Sequence, residues 1–475
     1  MPKDLRTFLD EVATHRPDDL FTVDRSVSPL CEPTAVLEKL EAEGRHPAVL
    51  FTNVGGSKIP LIINVHASFQ RLALAFGTKS PIDLQHKLAA GEWKPMPPKV
   101  VERASAPVKE VVLGGEDASL DLLPIIQHNE KDAGLYIDAA PCVVRQRKTG
   151  IYNMGLYRHQ KFGSRELGFM VNPAHHGTYI RREYEDAQEP MDVALVVGHH
   201  PGLILASVAK VPGIGREYEL ASAYMEEPLE LVQAETVDLL VPARAEMIIE
   251  GQIRHDYQYE GPFGEWPRFY TKEGPQPIIH VTAITMRRRP IYQSIFNAHA
   301  EHHVCGAIPR LGSIYRRVKE VVPTVVAVNL PISGCSRAFC YISIRKRADG
   351  EPQQAAMAAL TAETDVKHVI VVDDDIDVFN ENDVLWAVAT RFQADRDMIV
   401  MPYSFGSHLN PSAYARADGQ PKHLETKLIF DATKPLPPFE FPELARAPRA
   451  MVEQIDLEAY LKPFDPSVLK PLVKA

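Results

Sequence analysis

Cysteine is scarce in this chain. Five are present among 475 residues, at Cys31, Cys142, Cys305, Cys335 and Cys340, and no two form a Cys-x-x-Cys pair. An odd and scattered set supports neither a disulfide framework nor a structural zinc site, and it fits a reducing, cytoplasmic setting. Long apolar runs are missing as well. None approaches the roughly 20 residues that a membrane-spanning helix needs. The opening Met1-Pro2-Lys3-Asp4-Leu5-Arg6 has no apolar core of the kind a signal peptide carries, so no membrane partner is expected. Basic tracts are absent: 52 Lys and Arg face 62 Asp and Glu, a formal charge of −10, which argues against nucleic acid as a partner. Several catalytic signatures are lacking too. There is no GxGxxG between a strand and a helix, no GxxxxGK[ST], no GxSxG and no HExxH, and Gly213-Ile214-Gly215 stands alone. Nicotinamide dehydrogenases, P-loop enzymes and the common hydrolases are therefore disfavoured.

What is there reads as a mixed α/β (α+β) protein. Hydrophobic residues make up 45% of the chain, enough for a sizeable core, and 39 prolines predict many punctuated loops. Leu5, Phe8, Leu9 and Val12 have helical spacing, and Pro33 opens a second helix that Gly44 ends. Ala48–Phe51 and Leu61–Val65 read as strands, Phe69–Phe76 as a helix, and Pro95 to Pro107 as a proline-rich linker. From about 110 to 300, short β-rich runs recur at Ala140–Val144, Val193–Val197, Leu203–Val208, Met247–Ile253 and Ile278–Met286, which suggests a barrel or a split sheet. A helix is expected after His175. From about 305 the pattern returns to α/β. Phe339–Ile344 and His368–Val372 read as strands and Gln353–Leu360 as a helix; Asn380 reads as the N-cap of a helix over Val384–Phe392.

Two segments carry candidate chemistry. Glu260-Gly261-Pro262-Phe263-Gly264-Glu265 holds two carboxylates on a turn that cannot be helical, because Pro262 lacks an amide. Asn153-Met154-Gly155-Leu156-Tyr157-Arg158 offers an amide and a guanidinium. An arginine can clamp a substrate carboxylate while one acid positions the arginine and another moves a proton. Taken singly, Arg158 also reads as a surface or ion-pair residue, and Glu260 and Glu265 as turn carboxylates. Asn153, His175 and Glu217 are residue types that suit Mn²⁺ or Mg²⁺, though their separation gives no local ligand spacing. The acidic run Asp373-Asp374-Asp375-Ile376-Asp377 after a strand reads either as a Mg²⁺ site or as a solvated loop.

Six motifs in order then resemble one family. They are Asn153-Met154-Gly155-Leu156-Tyr157-Arg158, Val171-Asn172-Pro173-Ala174-His175, Leu240-Val241-Pro242-Ala243, Glu250-Gly251, Glu260-Gly261-Pro262-Phe263-Gly264-Glu265 and Asp374-Asp375-Ile376-Asp377-Val378. Together they resemble the UbiD family of reversible decarboxylases, which use prenylated FMN, and the resemblance covers nearly the whole chain. It implies an N-terminal α/β part over 1–105, a split β-barrel flavin domain over 106–304, a C-terminal α/β oligomerisation domain over 305–445 and a tail over 446–475. It implies Arg158, Glu260 and Glu265 as the catalytic set, with Arg158 on the carboxylate, Glu260 fixing it and Glu265 as a general acid whose pKa is raised. It implies Asn153, His175 and Glu217 as ligands tying Mn²⁺ (or Mg²⁺) to the cofactor phosphate, with His176 and Glu219 as rivals, and K⁺ nearby. Gly155, Leu156 and Arg158 would line the flavin, Lys367 would approach its phosphate, and His302 and His303, after a strand over Ile291–Phe296, would meet the substrate.

The implied reaction is non-oxidative, reversible decarboxylation of an aromatic, hydroxybenzoate-like, or α,β-unsaturated acid through a covalent adduct with the cofactor. A flavin prenyltransferase would supply that cofactor, and the protein would be a homodimer or hexamer. The alternatives are an accessory subunit of a carboxylase complex, a heteroaromatic acid decarboxylase, and a Mg²⁺-dependent hydrolase built on Asp373–Asp377.

Overall fold

The computed structural model describes residues 2–89, 96–171, 175–209, 215–271, 274–415 and 421–463. Pro95, Asn172-Pro173-Ala174, Gly213-Ile214 and the end of the tail from residue 464 lie outside these. No helix among the described residues is long and apolar enough to cross a membrane.

The chain opens with the expected helix, Leu5–His15. Asp4 accepts the Thr7 amide at 2.9 Å and Thr7 Oγ1 accepts the Asp4 amide at 3.0 Å, a reciprocal cap, while Leu5, Phe8 and Val12 face the core. A second helix, Glu32–Ala42, follows with Pro33 in its first turn. The strands Leu20–Val23, Ala48–Phe51 and Leu61–Ile63 form a mixed sheet completed by Tyr292–Gln293 from far along the chain. That pair is all that forms of the strand expected over Ile291–Phe296. The strand expected to reach Val65 stops at Ile63, because Asn64 turns left-handed (φ 70°). The expected linker is not one in its described part: Lys99–Val100 pairs in parallel with Glu230–Leu231.

The middle of the chain builds an antiparallel sheet. Its order is Glu166–Gly168, Pro275–Met286, Met247–Tyr259, Met191–Val197, Pro141–Arg145 and Tyr152–Leu156, and Val111–Gly114 also pairs with Pro275–Met286. The sheet does not close into a barrel. Its apolar side packs around Val144, Val193, Leu195, Ile249 and Ile284. Leu203–Val208, expected as a strand, lies in the helix Pro201–Val208. A short, continuously apolar run does not distinguish a strand from a buried helix. The residues before it decide: His200 accepts the Gly202 amide on its ring at 3.1 Å, and Pro201 occupies the first helical position.

The helix Ala300–Val321 leads into the C-terminal sheet, ordered Val325–Asn329, Phe339–Ile344, His368–Asp373, Pro421–Ala432 and Met398–Phe405. The helices Glu351–Ala362 and Glu381–Arg391 pack beside it, the latter capped by Asn380 on the Asn382 amide. Residues from Lys434 onward form a separate unit with two short helices, Arg449–Gln454 and Leu457–Tyr460.

Candidate active site

Arg158 sits in the short connection between the strands Tyr152–Leu156 and His159–Gln160. Glu260 is the first residue beyond the strand Met247–Tyr259. The two meet across 102 positions of sequence: Arg158 Nε donates to Glu260 Oε1 at 2.9 Å and Nη2 to Oε2 at 3.0 Å. This is a bidentate pair, the geometry that holds a guanidinium in one plane. Arg158 Nη1 donates to Glu265 Oε1 at 2.5 Å, and its Cζ stands 4.8 Å from the centre of the Phe263 ring. The Arg158 and Glu260 side chains are 8% and 1% exposed, whereas that of Glu265 is 18% exposed. Glu260 is thus the fixed carboxylate and Glu265 the one with access to solvent. Burial lifts the Glu260 pKa above the ordinary value of 4.5 despite the opposing Arg158. Burial alone would lower that of Arg158, but Glu260 and Glu265 raise it overall.

The loop that carries both acids is clamped by a segment that sequence reading missed. Gly264 N–H donates to Asp132 Oδ1 at 2.9 Å, and Ala133 N–H donates to Pro262 C=O at 2.9 Å. Two glycines permit this approach. A Cβ on Gly261 would stand 2.3 Å from the Ala133 Cβ, and one on Gly264 would stand 2.6 Å from Asn129 Nδ2. Nearby, His128 Nε2 is shared between Ser294 Oγ (2.8 Å) and Asp138 Oδ2 (2.9 Å), all three buried. The only sequence signal for this clamp is a polar cluster, His128-Asn129-Glu130-Lys131-Asp132, in a chain position with no helical or strand period.

Of the expected ligand set, the structure joins two members. Asn153 Nδ2 donates to Glu217 Oε1 at 2.9 Å. The Asn153 Oδ1 is buried with no hydrogen-bond partner among the described residues. Burial raises the Glu217 pKa, against the opposing pull of backbone amides and Asn153. An orphaned amide oxygen beside a buried carboxylate is a donor set that suits a hard divalent cation. His175 is the N-cap residue of the helix His176–Ala187 and exposed, with its ring centroid 6.1 Å from that of Tyr157. His176 begins that helix, and Glu219 lies two residues beyond Glu217 in the helix Glu217–Met225. Leu156 is half-buried. The space over the Gly155 Cα is taken by the Tyr157 hydroxyl, 2.3 Å from where a Cβ would be, so this glycine makes room for that tyrosine. Lys367 Nζ donates to Ser412 Oγ at 2.8 Å.

His302 and His303 lie in the first turn of the helix Ala300–Val321, which follows the strand Tyr292–Gln293. His303 Nε2 donates to the carbonyl of Trp266, the neighbour of Glu265, at 2.8 Å. Burial lowers its pKa to about 4, so the ring is neutral. The Ala298 amide donates to His302 Nδ1 at 3.3 Å, which leaves the ring proton on Nε2, and burial holds the His302 pKa far below 6.5. The acidic run is a structural ion cluster: Arg391 binds Asp373 (2.6 Å) and Asp375 (3.0 Å), and Arg345 binds Asp374 (2.9 Å). No group of three or more His, Cys, Asp or Glu side chains fit to hold a metal is found among the described residues.

The chain matches three family models in succession, all described as 3-octaprenyl-4-hydroxybenzoate carboxy-lyase. The N-terminal domain matches residues 13–90, the Rift-related domain 99–300 and the C-terminal domain 303–432. The anhydromevalonate phosphate decarboxylase of Methanothermobacter thermautotrophicus is 32% identical over 441 residues, covering 91% of this chain and 97% of that protein. The phenolic acid decarboxylase of Sedimentibacter hydroxybenzoicus is 31% identical over 454 residues, 92% of each. Among solved structures, the UbiD-class enzyme HmfF from Pelotomaculum thermopropionicum, in complex with FMN, matches with a TM-score of 0.88 at 37% identity, over 96% of this chain and 100% of that one. An evolved dimeric form of that enzyme, in complex with prFMN, matches at 0.85 and 35%, over 97% and 100%.

Proposed function

Because the chain belongs to the UbiD family and is a decarboxylase, we propose that it performs reversible, non-oxidative decarboxylation of an aromatic or α,β-unsaturated acid with prenylated FMN. The observation that carries this reading is the buried guanidinium of Arg158, held bidentate by Glu260 and bound on its other nitrogen by Glu265. The structural neighbours that hold FMN and prFMN support the cofactor, and the phenolic acid relative supports a hydroxybenzoate-like substrate.

Loss of CO₂ from an sp² carbon leaves an electron pair that no protein side chain can accept, and the prenylated flavin, when bound, supplies that sink. Asn153 and Glu217 fit a divalent cation, Mn²⁺ or Mg²⁺, that would anchor the cofactor phosphate, with His175 as the third ligand. Asn153 and Arg158 lie five positions apart along the chain. Gly155 and Leu156 lie between them. K⁺ would sit close by, and Lys367 is the remaining cation assigned to the phosphate.

The protein's own steps concern charge and protons. Arg158 orients the substrate carboxylate, and Glu260 keeps the guanidinium from following the substrate as it moves. An anionic substrate at Arg158 Nη1 competes with Glu265 for the same N–H. Glu265 would then deliver the proton to the carbon that CO₂ leaves.

A flavin prenyltransferase would supply the cofactor, and copies of the chain would assemble through the C-terminal sheet. The test is a visible absorption spectrum with intact-cofactor mass spectrometry on protein co-expressed with such a prenyltransferase. Bound prenylated FMN is expected. A colourless protein from cells with an active prenyltransferase would overturn the reading.

A further inference from the structure

The residues assigned to the cation come from three elements: Asn153 from the strand Tyr152–Leu156, Glu217 from the start of the helix Glu217–Met225, and His175 from the N-cap of the helix His176–Ala187. Asn153 and Glu217 are joined directly. Tyr157 ties in the element of His175. It lies one position beyond the strand, and its side chain folds back over it. A Cβ on Gly155 would come within 2.3 Å of Tyr157 Oη, and one on Gly177 within 2.9 Å of the same atom. Gly155 lies two positions after Asn153, so both face the same side of the strand. Gly177 is in the first turn of the helix that follows His175. One hydroxyl therefore fills the space that two glycines leave, one on each of these elements.

Packing alone does not call for the hydroxyl. Tyr157 is 9% exposed, and its ring meets that of Phe169 edge-on with centroids 5.8 Å apart. A phenylalanine would fill the slot without a polar atom to bury, and burying a hydroxyl costs free energy unless it is bonded. Burial, with Cys142 and Glu217 close by, raises the Tyr157 pKa above 10, against a hydrogen bond from the Gly177 amide. The group is therefore neutral, and it accepts from the first turn of the helix. What the oxygen adds over a plain ring is a fixed link between the two backbones.

We propose that Tyr157 is a positioning residue for the divalent cation: its hydroxyl locks the helix start that bears His175 onto the strand that bears Asn153, and so sets how the three ligands stand to one another. Metal sites lose affinity when the contacts that orient their ligands are removed. Tyr157 acts through the placing of His175 and contributes no donor of its own. This inference rests on the assignment of Asn153, His175 and Glu217 to the cation, made above.

The test uses the full chain with bound FMN and follows Mn²⁺ binding by the loss of the free-ion electron paramagnetic resonance signal. The proteins compared are the wild type, Tyr157→Phe, Gly177→Ala, the double variant and His175→Ala. Tyr157→Phe keeps the ring and is expected to raise the Mn²⁺ Kd by roughly 10- to 100-fold, the usual cost of losing a residue that orients a metal ligand. Excess Mn²⁺ should restore FMN retention in this variant, a rescue that a packing defect would not show. Gly177→Ala drives a methyl group against the hydroxyl. It should cost as much in the wild type and distinctly less in Tyr157→Phe, because the two changes break one contact. Should Gly177→Ala not fold, Tyr157→Phe decides alone. Hydrogen exchange over His176–Ala187, measured without metal, should quicken in Tyr157→Phe. An unchanged Kd in Tyr157→Phe, or losses in the two single variants that simply add, would make the tyrosine a packing residue and overturn the inference. A wild type that binds Mn²⁺ no better than His175→Ala would instead count against the cation assignment. The exchange measurement then decides the tether by itself: quickened exchange in Tyr157→Phe upholds it and unchanged exchange overturns it.

Discussion

Arg158 has its direction set by Glu260 and its second nitrogen occupied by Glu265, so the roles of the two acids separate by burial. Replacing Glu260 by Gln keeps the shape but removes the charge that fixes the guanidinium. A misplaced reacting group costs on the order of 100-fold in rate, and that loss is expected in kcat/KM with flavin content unchanged. Because burial lifts the Glu260 pKa above 4.5, lowering the pH protonates it and loosens Arg158. Wild-type activity should therefore fall on an acid limb centred above 4.5, and Glu260→Gln should lose that limb; a pH profile of kcat/KM on both proteins checks this. A second residue-scale prediction concerns His128. Burial alone would lower its pKa, but Asp138 overrides this and raises it above 6.5. A histidine raised in the folded state stabilises the fold fully below the unfolded value of about 6.5. That contribution is lost as the pH rises through the raised folded value. Asp138→Asn should flatten this dependence, as measured by denaturant unfolding between pH 6 and 9.

At the scale of elements, the strand Met247–Tyr259 and the loop after it carry the design. The strand delivers Glu260, and the segment Asn129–Ala133 pins the loop so that Glu265 returns to Arg158. Gly264→Ala would place a methyl group 2.6 Å from Asn129 Nδ2 and push the loop outward. Turnover is expected to fall by about 100-fold, with a loss of stability within the usual point-mutant range of roughly 0.5–3 kcal/mol; calorimetry and steady-state kinetics on the one variant separate the two. This element also shows what sequence could tell. Glu260, Pro262 and the glycines mark a turn with two acids by local chemistry alone, and Asn380 marks a helix start. The pairing with Arg158 spans 102 positions and was reached through resemblance. Asp132 is not legible in the sequence because it lies in no periodic segment, and what sets it apart is burial, which only tertiary packing creates. The acidic run misled in the other direction. Asp373 and Asp375 invite a metal reading until Arg391, from the next helix, is seen to bind both.

At the scale of the whole molecule, the C-terminal sheet, as ordered among the described residues, ends in the strand Met398–Phe405, which pairs with Pro421–Ala432. Met398 and Val400 on this strand, and Leu385 and Trp386 on the helix Glu381–Arg391, are exposed. An apolar edge strand is a template for association, in keeping with the homo-oligomer proposed above. Val400→Lys is expected to shift the protein to a smaller species in sedimentation velocity while leaving the bound flavin in place. The central claim reaches across all three scales: one chain holds a modified flavin and uses Glu265 to complete a decarboxylation oriented by Arg158. The most direct measurement compares CO₂ release from a panel of aromatic and α,β-unsaturated acids by the wild type and Glu265→Gln, at equal bound prenylated FMN. The account predicts turnover by the wild type and a loss of about 100- to 10,000-fold in the variant, the range of a general acid's contribution. Undiminished turnover by Glu265→Gln would contradict it.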